Sequence, residues 1–131
     1  MTQPILWADF VPGAALGEIT LPFDDAMVSS WESIFGKAEV GDASQAAGVA
    51  VAMMMRAYLT AVAPRPPGNV HARQRFSLKA VPERGEGIRT VVSCRSKEIR
   101  RERRYVDLDV QGTGDAGRPI YTGILTLIWA A

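Results

Sequence analysis

The hydrophobic pattern of the chain centres on an uncharged apolar run at residues 46–55, which continues to Val62 with a single charge at Arg56. Nearly every face of a helix built from Ala46 to Val62 would have to be shielded from water. The run is shorter than the roughly 20 residues that span a bilayer, and it lacks the polar face of a membrane-surface helix. The pattern therefore predicts a buried core helix and no membrane partner.

Upstream of this core helix the pattern predicts one short strand and one short amphipathic helix. Residues 17–23 alternate apolar and polar side chains, as a half-buried strand does. The acidic pair at 24–25 supplies a helix N-cap, and Gly36 supplies a C-terminal stop. Asp42, three positions before Gln45, resembles a capping box at the start of the core helix. The apolar positions of the short helix fall at helical spacing: Met27, Val28, Trp31, Ile34 and Phe35.

Downstream of the core helix the apolar period changes from 3.6 to 2. Prolines at 64, 66 and 67 end the helix, and turn-forming stretches divide the rest of the chain. The last strand is apolar on both faces, so we expect both faces to be covered. We expect the four strands in meander order: 70–81, 88–99, 105–110 and 120–129.

This order of elements predicts an α+β fold. No crossover helix separates the later strands, which excludes a doubly wound parallel sheet. A curved antiparallel β-sheet wrapped around the central apolar helix, the hotdog arrangement, hides the helix with the fewest elements. We expect one hotdog domain over residues 1–131, in which residues 1–13 form an irregular N-terminal arm anchored by apolar side chains.

Composition and charge narrow the possible partners. The first 55 residues carry one basic and seven acidic side chains, and the remainder carries fourteen basic and seven acidic. The basic cluster at 95–104 contains no aromatic residue, so we expect no nucleic-acid partner. With one cysteine, Cys94, and one histidine, His71, we expect neither an internal disulfide nor a metal site, and no cofactor. The first ten residues lack a secretion signal, so a cytoplasmic location is expected.

Several segments, in this order and at this spacing, resemble the MaoC-like hydratases and dehydratases. The segment 45–50, QAAGVA, is similar to the start of that family's central helix, where an Ala-His-Gly-Met type of pattern is usual. The similarity continues through 70–76 (VHARQRF), Pro82 and the Gly85 turn, and ends in 122–127 (TGILTL). It covers about residues 14 to 129.

The resemblance implies an acyl thioester as ligand, on coenzyme A or on an acyl carrier, and water added to or removed from a carbon–carbon double bond. It also implies pairing with a second hotdog subunit, identical or related. The family's usual Asp with a His five positions later is missing. The only histidine is His71, and the aspartates at 24, 25 and 42 are followed five positions later by serine, serine and alanine. Hydration needs such groups to activate water and to transfer the second proton.

Other parts of a thioester site have candidates. Gly48, in the first turn of the predicted helix, offers a backbone N–H for the thioester oxygen, although a glycine there also permits close contact with a strand. Asp42 or Glu39 could activate water in a thioesterase, although Asp42 also suits a helix N-cap. Arg73 and Arg75, or an arginine of the cluster such as Arg101, could hold coenzyme A phosphates, although most of the cluster should be solvated. His71 is a weaker site candidate.

Three functional hypotheses follow from these residues. The first is an acyl-thioester-binding hotdog protein related to hydratases, with a degenerate site, acting beside a catalytically competent subunit. The second is an active thioesterase that uses Asp42 or Glu39. The third is a hotdog protein that binds a ligand other than a thioester and has no enzymatic role.

Overall fold

The structure is a computed structural model that describes residues 3–36 and 44–131. Two helices and five strands account for most of these residues. They are β1 (Ala15–Phe23), α1 (Asp25–Phe35), α2 (Ser44–Ala61), β2 (Val70–Leu78), β3 (Glu86–Arg100), β4 (Arg103–Thr113) and β5 (Pro119–Trp129).

Helix α1 begins and ends where the sequence predicts. The Asp24 side chain accepts a hydrogen bond of 2.9 Å from the backbone N–H of Met27, which satisfies one of the donors left free in the first turn. Gly36 ends the helix with φ 83°, a conformation that favours glycine. Both cap predictions are confirmed.

Helix α2 is the predicted core helix and begins two residues earlier than predicted. Its buried side chains meet the inner face of the sheet and α1, leaving one narrow exposed stripe that includes Ala52 and Arg56. The predicted capping partner Asp42 lies outside the described residues, and the Gln45 amide instead donates to a carboxylate oxygen of Glu32 in α1 at 3.3 Å. The fully buried side chains of α2 are Val49, Ala50, Met53, Met54, Ala57 and Tyr58.

The strand order differs from the predicted meander. The sheet is antiparallel with the order β1-β3-β4-β5-β2, so only β3, β4 and β5 follow one another as neighbours. β2 pairs with β5 and forms one edge of the sheet, while β1 takes the place beside β3. Alternation along a strand reports which face is buried and carries no information about its neighbours, which explains why the prediction of a four-strand meander was wrong.

The two faces of β5 are covered unequally. Tyr121, Leu125 and Trp129 point inward and are buried, whereas Ile124 and Ile128 on the outer face are only half-buried. The prediction that both faces are covered therefore holds for the inner face alone within a single chain. The outer face keeps apolar area in contact with solvent.

The N-terminal arm packs across the end of the sheet. The Trp129 indole N–H donates to the Ile5 carbonyl at 2.8 Å, and the Trp7 indole N–H donates to the Tyr105 carbonyl at 3.0 Å. Phe10 is buried edge-to-face on Trp129, with ring centroids 4.9 Å apart. With the sheet curved around α2 and the arm closing one end, the fold is the predicted α+β hotdog. In the part of the chain that the structure describes, no helix has the length and apolar character needed to cross a membrane.

Candidate functional site

The amino-terminal part of α2 is covered by an aromatic side chain from α1. The Trp31 indole lies directly on Gly48, so closely that a Cβ at Gly48 would overlap the ring. The same indole packs against Phe35, with ring centroids 4.3 Å apart. Gly48 therefore permits close packing, the alternative that the sequence left open, with the contact coming from a helix and not a strand.

The position of Gly48 in the helix also bears on its predicted donor role. Because α2 begins at Ser44, Gly48 is the fifth helical residue, and the i to i−4 pattern directs its N–H to the Ser44 carbonyl. The N–H groups without a partner inside the helix belong to the residues before it, including Gln45 and Ala46. Gly48 therefore follows directly after the residues whose N–H groups are free at the amino terminus of α2.

The two arginines predicted for coenzyme A phosphates on β2 share a trough on the outer face of the sheet. Arg73 and Arg75 are opposite Thr126 and Ile124 of β5, the half-buried side of that strand. Arg75 lines a cavity of about 590 Å³, and Arg73 lines smaller neighbouring cavities of about 190 Å³ each. Arg95 forms the opposite wall of the trough, and its guanidinium pairs with the Asp109 carboxylate at 3.1 Å. Two of the three predicted phosphate-binding residues therefore come together.

Arg101 lies elsewhere. It occupies the two-residue turn between β3 and β4, with φ 52°. Arg104, three residues further, pairs with Trp129 at the arm-covered end of the sheet. Ile5 of the arm donates its N–H at 2.9 Å to the carbonyl of Pro64, three residues beyond the end of α2. These contacts place Arg101 near the carboxyl end of α2. Gly48 lies near the other end of this helix, which has 18 residues and is about 27 Å long.

The remaining predicted site residues are spread over the molecule. Glu39 and Asp42 lie outside the described residues. His71 is exposed on the edge strand β2. Cys94 is buried in the core, where burial raises the pKa of its thiol, with a smaller opposing effect of Lys97. Within the described ranges, no group of three or more His, Cys, Asp or Glu side chains is arranged to hold a metal ion.

The strongest electrostatic feature, a buried carboxylate, was not singled out by the sequence. Glu86, only 3% exposed at the start of β3, accepts backbone hydrogen bonds of 2.9 Å from Glu83 and Asp115, and it pairs with the Arg118 guanidinium. Burial alone would raise the pKa of Glu86, but these bonds outweigh it and hold the pKa below its usual value. The sequence placed Glu86 in a turn-forming stretch, and its partner Arg118 is 32 residues away.

Two buried tyrosines add further polar groups to the interior. The hydroxyl of Tyr121 pairs with that of Thr90, and burial raises the pKa of Tyr121 while the hydrogen bond to Thr90 opposes the shift. Burial likewise raises the pKa of Tyr58, against the effect of Arg65. A phenol with a raised pKa holds its proton at neutral pH, so neither tyrosine supplies a base there.

Trp31 is the site residue that sequence reasoning undervalued. Its apolar character and helical spacing predicted only a packing role on α1. Nothing in the sequence connects Trp31 with Gly48, 17 positions later, because the contact depends on how α1 lies on α2. A helical glycine facing a large aromatic side chain is recognisable only in three dimensions.

Comparison with solved structures identifies the same fold over almost the whole chain. A MaoC-like dehydratase from Rhodospirillum rubrum aligns over 97% of this chain and 98% of its own, with a TM-score of 0.79 and 12% identity. The R-hydratase PhaJ1 from Pseudomonas aeruginosa, in its unliganded form, aligns over 96% and 86%, with a TM-score of 0.77 and 17% identity. At these identities the likeness establishes the hotdog fold of MaoC-like proteins and no more.

A third similar structure is a complex of two proteins. The ChsH1–ChsH2 complex from Mycobacterium tuberculosis contains a chain that aligns over 92% of this chain and 98% of its own, with a TM-score of 0.68 and 17% identity. No protein-family model and no curated protein matches the sequence.

Proposed function

We propose that this chain binds an acyl thioester at the amino-terminal end of α2, as a hydratase-related hotdog protein without the usual acid–base pair. The observation that carries the proposal is the fold, which is shared over nearly the full length with a MaoC-like dehydratase and an R-hydratase. The helix terminus supports it, because backbone N–H groups and the helix dipole favour the negative charge that develops on a thioester oxygen. Donation by Gly48 itself stays a prediction.

A binding role is favoured over a complete hydratase because the sequence contains no Asp with a His five positions later. The chain contains one histidine, His71, on the edge strand, and no Asp lies five positions before it. The phenols of Tyr58 and Tyr121 keep their protons at neutral pH. A scaffold that holds the thioester beside a competent subunit accounts for both the fold and the missing pair.

The second subunit would pair along the outer edge of β2. This edge has no neighbouring strand in the described chain, and most of the nine residues of β2 are exposed. An unpaired edge presents backbone donors and acceptors to another strand. The ChsH1–ChsH2 complex, a similar fold found in a complex of two proteins, supports a related partner as well as a second copy of this chain.

Arg73 and Arg75 are the stronger candidates for the phosphate end of coenzyme A, because they share one trough, whereas Arg101 lies by the carboxyl end of α2. Replacing both with Gln should weaken butyryl-coenzyme A binding about tenfold and leave a butyryl-pantetheine thioester, which lacks the nucleotide, unaffected. Arg101→Gln is the matched control and should change neither. If the double replacement weakened the binding of both ligands equally, the trough would not be the binding site of the coenzyme A nucleotide.

The central experiment measures binding and chemistry separately. Calorimetric titration with butyryl-coenzyme A should give saturable binding, and crotonyl-coenzyme A should not be hydrated above the buffer rate. Hydration should appear when a hotdog subunit carrying the Asp and His pair is added. Turnover by the chain alone at an ordinary enzyme rate, about 1 s⁻¹ or more, would overturn the missing-pair claim. No binding of any acyl-coenzyme A would favour a non-enzymatic protein for another ligand.

The thioesterase alternative depends on two carboxylates outside the described residues. Asp42 and Glu39 precede α2 by a few residues, so either carboxylate would be close in sequence to the proposed thioester site. If the chain cleaves butyryl-coenzyme A, replacing both with Ala should abolish cleavage and leave the melting temperature nearly unchanged. If the double variant still cleaved butyryl-coenzyme A, neither carboxylate would be needed and the thioesterase alternative would be wrong.

A further inference from the structure

The outer face of the sheet carries two charged rows, one on each side of β5. Arg73 and Arg75 of β2 form the basic row, and Asp107 and Asp109 of β4 form the acidic row. The middle row consists of the outward side chains of β5, which are uncharged and half-buried: Thr122, Ile124, Thr126 and Ile128. This face therefore combines apolar area with opposite charges in separate rows.

The strand register places the two charged rows level with each other. Thr126 of β5 has Asp107 as its partner on one side and Arg73 on the other. The outward residue two positions earlier in β5 repeats this arrangement with the second aspartate and the second arginine. Because neighbouring strands are about 4.8 Å apart, the two rows are about 10 Å apart. Within residues 3–36 and 44–131, no ion pair joins one row to the other.

We propose that a second copy of this chain packs face to face on the outer face, with the two-fold axis along β5. A two-fold rotation about this direction turns the sheet over and exchanges the two sides of β5, but keeps the level of each residue along the strand. Asp107 of one copy then faces Arg73 of the other, and Asp109 faces Arg75. Each contact occurs twice, and β5 meets its own counterpart, as in any isologous interface.

The spacing of packed sheets agrees with this pairing. Two sheets that pack face to face are about 10 Å apart, and their strands cross at about 30°. A long arginine opposite a short aspartate spans such a distance, whereas two arginines would collide and two aspartates would leave a gap. The half-buried Ile124 and Ile128 would lose their remaining contact with water. The pairing thus covers the second face of β5, which the sequence predicts to be covered.

The order of the charges favours a second copy over other occupants. A surface of one charge sign, such as an anionic membrane, would be attracted by one row and repelled by the other. A second copy supplies the matching order of charges through symmetry alone. Pairing along the edge of β2 uses backbone groups and leaves the outer face free, so both contacts can form in one assembly. The proposed function assigns Arg73 and Arg75 to coenzyme A phosphates, so the nucleotide and the second copy would compete for them.

The test is the mass of the assembly, measured by sedimentation equilibrium over a dilution series. Asp107→Arg sets arginine against Arg73 at two symmetric places and should weaken association at least tenfold, which halves the mass of the wild-type assembly whether or not the β2 edges also pair. Arg73→Asp sets carboxylates against each other and should have the same effect. Arg56→Asp makes the same charge change on the exposed stripe of α2 and is the matched control with the wild-type mass.

Mixing the two disrupted variants tests the register itself. In a mixed pair, the Asp107→Arg copy supplies two arginines at this level and the Arg73→Asp copy supplies two carboxylates, so both contacts are attractive again. Fluorescently labelled Asp107→Arg should therefore associate with Arg73→Asp at least tenfold more tightly than with Arg56→Asp. Net charge alone would give the same association with both partners, because the two carry the same charge change.

The outcomes separate this inference from the proposed function. A wild-type mass that neither Asp107→Arg nor Arg73→Asp lowers, or a mixture that does not associate selectively, would overturn the face-to-face pair. If Asp107→Arg does not fold, Arg73→Asp decides, since Arg73 is exposed. Selective association in a chain that binds no acyl-coenzyme A would support the pair and contradict the proposed function. A wild-type pair that saturating coenzyme A does not dissociate would support the pair and place the nucleotide away from Arg73 and Arg75.

Discussion

The two ends of α2 are built in opposite ways. At its carboxyl end the arm, Trp129 and a capping arginine form a closed end, where Arg65 donates to the carbonyls of Leu59 and Val62 at 2.7 and 2.8 Å. At its amino end α1 leaves Ile34 and Phe35 exposed beside an apolar cleft, an arrangement that we call the open end. One end uses its apolar and polar groups for stability, and the other leaves apolar side chains exposed to solvent.

The largest expected effect is at the closed end. Trp129→Ala removes a fully buried indole, its edge-to-face contact with Phe10 and its hydrogen bond to the Ile5 carbonyl. The free energy of unfolding should fall by about 4 kcal/mol, as measured by urea denaturation. The folded fraction should keep the wild-type affinity for butyryl-coenzyme A. A loss below about 1 kcal/mol would mean that the arm does not hold this end closed.

The second effect concerns the polar anchor near the open end. Glu86 pairs with Phe23 across β1 and β3, one residue before the α1 cap. Glu86→Gln removes the buried carboxylate and leaves the half-buried Arg118 guanidinium without its partner, which should cost about 2 kcal/mol at pH 7 in urea denaturation. Glu83→Gln is the matched control, since the anchor uses only the backbone N–H of Glu83, and should change stability by less than about 0.5 kcal/mol.

The same carboxylate predicts a pH dependence. Because the pKa of Glu86 is lowered in the folded chain, its contribution is present above the ordinary value of 4.5 and is lost as pH falls through the folded pKa. Stability measured between pH 6 and pH 3 should therefore fall less steeply in Glu86→Gln than in the wild type. If the stability of the two proteins fell in parallel between pH 6 and pH 3, the Glu86 carboxylate would not stabilise the fold as an ionised group.

The smallest effects come from a matched pair of caps. Asp24→Ala removes the N-cap of α1 at the open end, and Arg65→Met removes the capping donor at the closed end. Each should lower the free energy of unfolding by about 1 kcal/mol. Only Asp24→Ala should also weaken butyryl-coenzyme A binding, by about threefold, because α1 packs through Trp31 on the amino-terminal part of α2. If both variants weakened binding equally, the open and closed ends of α2 would not differ in their contribution to ligand binding.

Predictions from local pattern were the most reliable. The caps of α1, the core helix and the alternation of the strands depend on residues close together in the sequence, where side-chain periodicity and capping act directly. The pairing of β2 with β5, the ion pair of buried Glu86 with Arg118, and the contact between Trp31 and Gly48 each join distant segments. Local propensity has no means of predicting such contacts.

The sequence by itself predicted that an apolar helix would be enclosed by a curved antiparallel sheet, because this arrangement hides the surface of the helix from water with the fewest elements. It also determined the absence of an Asp and His pair at the hydratase spacing. Only the tertiary structure decided which end of the helix is closed by aromatic packing and which is left with an apolar cleft. That choice depends on the angle at which α1 and the arm lie on α2, which is set by contacts between residues far apart in the chain.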